Sequence, residues 1–201
     1  MKSIIKKALA CSLSYSDYKI SHGMTLNKEL HRPEKDLALI NYLKLNQSRM
    51  NRIEKKFELT KFHRDSISDT TPIYTWLVIT EPWCGDAAQT LPILKKMSSN
   101  CSKVELRIVH RDQHPELMNL FLTRGSKSIP KLIALDSDLN LMFTWGPRPK
   151  EAQKIVDKYI RLYKSLTKEG QIELQSWYNK DGGKSVETEL CDLIQLTLQK
   201  K

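Results

Sequence analysis

The hydrophobic positions of this chain follow two periods, one typical of helices and one typical of strands. Apolar residues spaced three or four apart predict amphipathic helices, mainly towards the two ends. Short apolar or alternating runs between turn residues predict strands in the middle. Helices are predicted over 2–13, 34–58, 84–97, 115–122, 150–166, 169–179 and 185–199, with a short one ending near Gly23, and strands over 74–80, 104–110, 131–135 and 141–145.

The middle of the chain has the order β-α-β-α-β-β-α, which is typical of an α/β fold with a central mixed sheet flanked by helices. The first two strands are joined through a helix and should be parallel, whereas the last two are joined by a short turn and should be antiparallel. The polar stretches 25–32 and 60–72 are predicted to be a loop and a linker. Three parts are predicted: an N-terminal helical extension over 1–59 that packs on the core, an α/β domain over 60–166, and a C-terminal helical extension over 167–201 whose last helix is capped by Ser185.

Composition and charge argue against a nucleic-acid-binding, a membrane-spanning and a secreted protein. The 201 residues carry a formal charge of +10, but the basic residues are spread along the chain, so we expect no nucleic-acid binding. No apolar run reaches the roughly 18 residues of a membrane span. The apolar run between Lys7 and Cys11 is too short for the core of a secretion signal. We therefore expect a cytoplasmic protein without membrane contact.

Cysteine and histidine spacing points away from metal binding. The four cysteines lie far apart: Cys11, Cys84, Cys101 and Cys191. They form no metal-type or redox-type pair in sequence, which favours reduced thiols. His110 and His114 span a strand end and a turn rather than one helix face, so no metal site is predicted.

The most informative stretch is 74–92, an apolar strand that runs into a helix at Trp83-Cys84-Gly85-Asp86. A cysteine at a helix N-terminus lies near unpaired N–H groups and the positive end of the helix dipole, which lower a thiol pKa. Asp86 would lie in the first helical turn, where a carboxylate also suits the dipole. If it lies close to Cys84, its charge would raise the thiol pKa instead. The sequence leaves open which effect is larger.

These residues, with the order of elements, resemble the thioredoxin superfamily. The superfamily has a Trp-Cys-Gly start at this junction, a helix proline at the position of Pro92, and an Ile-Pro segment like the one within 125–132. The chain is similar to a bacterial thioredoxin-like group with a single-cysteine Trp-Cys-Gly-Asp-Ala motif and a later segment like 144–149. The resemblance implies a thioredoxin-like fold and a cis bond between Ile129 and Pro130.

Three positions depart from the superfamily pattern. Ala87 stands where a dithiol protein has its second cysteine, Asp86 where it has a proline, and Val78 where thioredoxin has a buried acid. The second thiolate normally attacks the mixed disulfide and releases the product. Because Ala87 carries no sulfur, disulfide reduction by two thiols of this motif is excluded.

The candidate site residues follow from the same stretch and from the resemblance. Cys84 and Asp86 are the catalytic candidates, as nucleophile and as base, with inert packing and a helix-dipole role as their alternatives. The resemblance adds four substrate-binding candidates, for which core packing is the alternative: Trp83, Gly85, Ile129 and Pro130.

Three further residues are weaker candidates. Arg148 could hold an anionic group such as a carboxylate of glutathione, or be a surface charge. Cys101 could act as the resolving cysteine that releases a mixed disulfide from Cys84. Glu81 is expected to be solvated on the rim.

Two main hypotheses remain. In the first, the protein is a monothiol redox protein. Cys84 attacks a disulfide of a protein partner, a glutathione mixed disulfide or a peroxide, and glutathione or another low-molecular-weight thiol resolves the product as co-substrate. In the second, it is a non-enzymatic binding module for a protein partner. A hydrolase or transferase that uses Cys84 with Asp86 is a weaker third hypothesis, because no nearby histidine completes the arrangement.

Overall fold

The computed structural model describes residues 1–61, 74–101 and 103–199. Most of the predicted linker 60–72 therefore lies outside the described residues. The described helices are α1 (Lys2–Ala10), α2 (Tyr15–Leu30), α3 (Leu37–Lys56), α4 (Gly85–Ser99), α5 (Pro115–Leu120), α6 (Lys150–Tyr163), α7 (Lys168–Asp181) and α8 (Lys184–Leu198), with a 3₁₀ turn at Arg111–Gln113. The described strands are β1 (Tyr74–Thr80), β2 (Val104–His110), β3 (Lys131–Leu135) and β4 (Leu141–Trp145).

The four strands form one mixed sheet in the order β2-β1-β3-β4. β1 pairs parallel with β2 and antiparallel with β3, and β3 pairs antiparallel with β4. Both predicted pairings are confirmed, and with them the α/β class. The parallel pair requires the long crossover that α4 provides, whereas the turn after β3 returns the chain directly.

The core surrounds β1, which lies inside the sheet and has helices over both of its faces. Trp76, Leu77, Val78 and Ile79 are each fully buried, as their nearly continuous apolar run predicts. A smaller apolar cluster joins α6 to α7 through Val156, Leu174 and Tyr178, among others. This second cluster places one face of α7 beside the N-terminal end of α4.

Two local predictions are wrong. Helix α2 does not end at Gly23 but continues to Leu30, through most of the predicted loop. A helix-interior glycine costs only about 1 kcal/mol, and beyond Gly23 the helix buries Glu29, which pairs with Arg32 at 3.1 Å. Helix α8 begins after Gly183, whose φ of 94° suits glycine, and Ser185 is not its cap. The backbone N–H of Ser185 instead donates to the carboxylate of Asp181.

No helix in the described part of the chain is long and apolar enough to cross a membrane.

Candidate functional site

Cys84 lies where the sequence places it, at the junction of β1 and α4. It is the N-cap residue of α4, and its Sγ accepts a hydrogen bond from the backbone N–H of Ala87 at 3.4 Å. The thiol also donates to the carbonyl oxygen of Ile129 at 3.4 Å. Only 7% of the residue is exposed. The thiol proton therefore has a defined acceptor, which favours the neutral form.

Burial, and after it the charge of the neighbouring Asp86 carboxylate, raise the pKa of the Cys84 thiol to about 12. The backbone N–H groups of Ala87 and Asp86, together with Arg148, act in the opposite direction and lower this pKa. The helix terminus thus contributes as expected, but desolvation and the carboxylate outweigh it. At neutral pH the sulfur is a thiol.

Asp86 is held by two residues distant in the sequence. Its Oδ2 accepts from Nη2 of Arg148 at 2.6 Å and from Nε of Arg148 at 3.1 Å. Its Oδ1 accepts from the hydroxyl of Tyr178 at 2.7 Å. The residue is 8% exposed. Three hydrogen bonds occupy most of the roughly four acceptor positions of a carboxylate, so the Asp86 side chain is fixed in position.

Tyr178 belongs to α7 and is a site residue that the sequence analysis missed. It is buried, and burial raises its pKa well above the ordinary value, with the charge of Asp86 adding to the effect. Its hydroxyl therefore stays protonated and donates. No local sequence signal connects a tyrosine of the last third of the chain with Asp86.

Arg148 is a partner of Asp86, and its surface-charge alternative is wrong, because only 15% of its side chain is exposed. Nη1 donates to Oε1 of Gln153 at 2.8 Å, so every guanidinium nitrogen has a partner. Burial lowers the pKa of Arg148, but the charge and hydrogen bonds of Asp86 outweigh this effect and leave the pKa raised.

The loop that carries Arg148 passes close to the segment of Pro130. A Cβ on Gly146 would lie 2.3 Å from the carbonyl oxygen of Pro130, and the φ of Gly146 is 106°. Both facts require glycine at this position. The Ile129–Pro130 bond is cis, as the resemblance implied, and both residues are buried.

A cleft of about 360 Å³ opens beside Cys84. Six residues that the sequence analysis had singled out line it: Trp83, Cys84, Gly85, Asp86, Ile129 and Arg148. Six others come from α3, from α7 and from the turn before α7: Tyr42, Arg49, Leu166, Gln171, Leu174 and Gln175. The helices outside the predicted α/β domain thus supply one wall of the candidate site.

A family model described as thioredoxin matches residues 33–162, which is well over half of the chain. The chain belongs to the thioredoxin family. The predicted thioredoxin-like fold is therefore confirmed together with its mixed sheet. No curated protein matches the chain.

Two solved structures show the same fold. A protein of unknown function from Pseudomonas aeruginosa has a TM-score of 0.63 and 14% identity, and the match covers 94% of this chain and 95% of that one. An HIV epitope scaffold has a TM-score of 0.59 and 17% identity, with 91% and 98% covered. At these identities the likeness concerns the fold alone.

The rim of the cleft in this thioredoxin-family protein combines an exposed aromatic ring with a buried acid. Trp83 is 39% exposed, and the guanidinium carbon of Arg111 lies 4.9 Å from its ring centroid. Glu81 is buried rather than solvated, which corrects the sequence-based expectation. Its carboxylate accepts the backbone N–H of Asp112 at 2.9 Å and lies 3.5 Å from Nδ1 of His110. Glu81 therefore fixes the loop beneath Trp83.

None of the other three cysteines of this thioredoxin-family protein stands at the position of the second motif cysteine, which Ala87 occupies. No disulfide joins the four cysteines; Cys11 is exposed, and Cys101 and Cys191 are buried. Burial raises the pKa of Cys191 to about 12, with Glu187 adding to the effect. Among the described residues no cluster of three or more His, Cys, Asp or Glu side chains could hold a metal ion.

Proposed function

We propose that this protein is a non-enzymatic, thioredoxin-fold binding module whose cleft beside Cys84 receives part of a protein partner. The observation that carries the proposal is the state of Cys84: a buried thiol that donates to the Ile129 carbonyl beside the side chain of Asp86. A thioredoxin-type reaction begins with a thiolate. Because burial raises the pKa of Cys84 to about 12, the sulfur stays a protonated thiol at pH 7.

The fixed ion pair supports the same proposal. A general base must be able to reach and take a proton from the reacting group. The Asp86 carboxylate instead accepts three hydrogen bonds from Arg148 and Tyr178. The residues that could activate Cys84 are thus engaged with one another.

The cleft has properties of a recognition surface. Its volume of about 360 Å³ lies in the usual range for ligand sites, and that range begins near 300 Å³. Trp83 stands half-exposed at the edge, and a partly exposed tryptophan is a frequent anchor in protein interfaces. Leu166 and Leu174 supply apolar wall opposite.

Alkylation of Cys84 tests the proposal. Iodoacetamide labelling of the native protein is followed by peptide mass spectrometry between pH 6 and 11, with Cys84→Ala as the assignment control. Exposed Cys11 is the internal reference. We expect Cys84 to label far more slowly than Cys11 at pH 7, with a rate that still rises above pH 10. A midpoint below the free-cysteine value of about 8.5 would contradict the proposal.

The monothiol redox protein remains a second candidate because Sγ lines the cleft and accepts the N–H of Ala87. Here the thiolate would attack a partner disulfide, form a mixed disulfide and release one partner thiolate, and glutathione would then resolve the product. Incubation with glutathione disulfide tests it. A glutathione adduct on Cys84, absent from Cys84→Ala, supports this candidate, and its absence at pH 8 argues against it.

Three finer assignments belong to the same proposal. We place the protein in the bacterial group with the single-cysteine motif, on the residues 83–87. We propose a cytoplasmic location, on the wide cysteine spacing. We also propose the three-part division at residues 59 and 166. Contacts of α3 with α4 and of α7 with α6 support it, because both extensions pack on the central domain.

A further inference from the structure

One wall of the cleft carries an arginine that a buried side chain holds in place. Asn46 is fully buried on α3; its Nδ2 donates to the carbonyl of Pro82 at 2.9 Å, and its Oδ1 accepts from Nη1 of Arg49 at 2.8 Å. A Cβ on Gly85 would lie 3.3 Å from Nη1 of Arg49. The guanidinium is therefore fixed directly over Gly85, next to the candidate thiol.

A second donor reaches the same place from α7 through a relay of hydrogen bonds. Nη2 of Arg52 donates to Oε1 of Gln89 at 3.0 Å, and Nε2 of Gln89 donates to Oε1 of Gln175 at 2.8 Å. This leaves Nε2 of Gln175 as a donor, 3.4 Å from where a Cβ on Gly85 would lie. The acceptor end of Gln175 is used inside the protein, and only its donor end faces the cleft.

The side-chain amide of Gln171 is arranged in the same way, with its acceptor oxygen used inside the protein and its donor left open. The hydroxyl of Tyr42 donates to Oε1 of Gln171 at 3.2 Å, which leaves the Nε2 donor of Gln171 available. Gly85 is also the first residue of α4, so the positive end of the helix dipole lies below these groups. The hydrogen-bonding groups left open on this wall are thus donors, and they surround a residue without a side chain.

Arg49 forms no ion pair with a carboxylate of the described residues, and Asp86 of the same cleft acts on it only through its charge, without a hydrogen bond. Within the described residues no carboxylate lies within 4.0 Å of its guanidinium, whereas Arg148 on the facing wall is paired with Asp86. The pKa of Arg49 is lowered, because burial and the charge of Arg52 outweigh the opposite effects of Tyr42 and Asp86. A half-buried charge without a partner is costly, and an anion bound from outside would offset that cost.

We propose that Arg49 and Gln175 bind a carboxylate group of the partner over Gly85, with the adjoining apolar part of that partner against Trp83 and Leu174. A guanidinium and a neighbouring amide donor match the two oxygens of a carboxylate. The inference rests on the proposed function, since it names the chemistry that the cleft recognises. It requires no reaction at Cys84.

A peptide titration followed by NMR tests the inference on the full chain. The probes are N-acetyl-Gly-Gly-Leu with a free C-terminus, the same peptide with an amidated C-terminus, and amidated N-acetyl-Gly-Asp-Leu. The readouts are the Gly85 amide and the Arg49 Nε–H signals. We expect the free-carboxylate peptide, the aspartate peptide, or both, to shift these signals, and the neutral peptide to bind at least tenfold more weakly. The two acidic peptides separate a terminal carboxylate from an acidic side chain.

Variants distinguish the site from general charge attraction. Arg49→Gln is expected to weaken binding at least tenfold, and Gln175→Met several-fold. Lys44→Gln removes the same charge from an exposed position of α3 and should change affinity less than about twofold. Thermal unfolding and the NMR spectrum of each variant check that it is folded.

The outcomes separate this inference from the proposed function. Equal binding of the neutral peptide, equal weakening by Arg49→Gln and Lys44→Gln, or no binding of any peptide would each overturn the carboxylate site. None of these results depends on Cys84, whose alkylation profile decides the binding-module proposal independently.

Discussion

Two arginines, Arg49 and Arg148, line the cleft, and their surroundings differ. Arg148 donates to Asp86 and Gln153 through all its nitrogens, and Tyr178 completes the set around the carboxylate. Arg49 donates to Asn46 and has no carboxylate partner among the described residues. Arg148 is satisfied by an ion pair within the fold, whereas Arg49 is held in place without an ion-pair partner among the described residues.

The difference shows which charges serve the fold and which remain for a ligand. A buried ion pair with its hydrogen bonds complete fixes the relative positions of its elements, here α4, the loop after β4, and α7. A positioned but unpaired cation offers binding energy to an incoming anion. We call the part of the site whose polar groups are paired with one another the closed side; it contains Cys84, Asp86 and Arg148. The wall from α3 and α7 that carries Arg49 and Gln175 is the open side.

The largest expected effect comes from breaking the closed side with Asp86→Asn. Loss of the charge leaves Arg148 buried and uncompensated, so we expect the free energy of unfolding to fall by about 3–5 kcal/mol. Urea unfolding measures it. Asp157→Asn removes the exposed partner of Arg124 and should cost less than about 1 kcal/mol. Similar losses in the two variants would show that the buried ion pair contributes no more to the free energy of unfolding than the exposed one.

A pH series tests the protonated thiol of the closed side. The unfolded chain releases the Cys84 proton near pH 8.5, whereas the native state holds it to about pH 12. Stability from this group is therefore complete below about pH 8.5 and is lost as pH rises towards 12, by about 1.4 kcal/mol per unit.

Cys84→Ala should reduce that slope, and the free energy of unfolding between pH 9 and 11 measures it. Cys11→Ala, at an exposed position, is the matched control and should leave the slope unchanged. Parallel curves for the wild type and Cys84→Ala would mean that Cys84 ionises alike in both states.

Tyr178→Phe removes a single hydrogen bond from the closed side. A hydroxyl bonded to a buried carboxylate contributes about 1.5–3 kcal/mol, and we expect a loss of that size in chemical denaturation. Tyr159→Phe is the matched control, since its hydroxyl donates at 2.8 Å to the more exposed Glu173 and should contribute less than about 1 kcal/mol. Equal losses would contradict the assignment of Tyr178 to a buried network.

Gly85→Ala tests the proposed carboxylate position on the open side and should have the smallest effect on stability. The new methyl group would meet Nη1 of Arg49 and Nε2 of Gln175 at 3.3 and 3.4 Å, where a shift of these side-chain ends by a fraction of an ångström makes room, so stability should change by less than about 1 kcal/mol. The same methyl occupies the proposed carboxylate position and should weaken the acidic peptide several-fold. Gly23→Ala, at a helix position with nothing within 4 Å, should leave binding unchanged. Undiminished binding by Gly85→Ala would place the ligand elsewhere.

Much of the fold could be predicted because its signals are local. The four strands lie where the apolar runs predict them, and the Cys84 junction begins α4 as expected. The misplaced end of α2 has a different origin. Gly23 is a local stop signal, but burial of Glu29 on the last turn, with its ion pair to Arg32, favours continuation of that helix to Leu30.

The candidate site, like the fold, was predictable where its signals are local and not where they depend on tertiary contacts. By itself, the sequence determined that Cys84 stands at a strand-to-helix junction, that Ala87 carries no second thiol, and that the fold is thioredoxin-like. Only the tertiary structure decided that the thiol is protonated, since its pKa depends on burial and on nearby charges. Asp86 meets partners 62 and 92 residues away, and a wall from α3 and α7 closes the cleft, because side chains so far apart in sequence meet only after the helices pack.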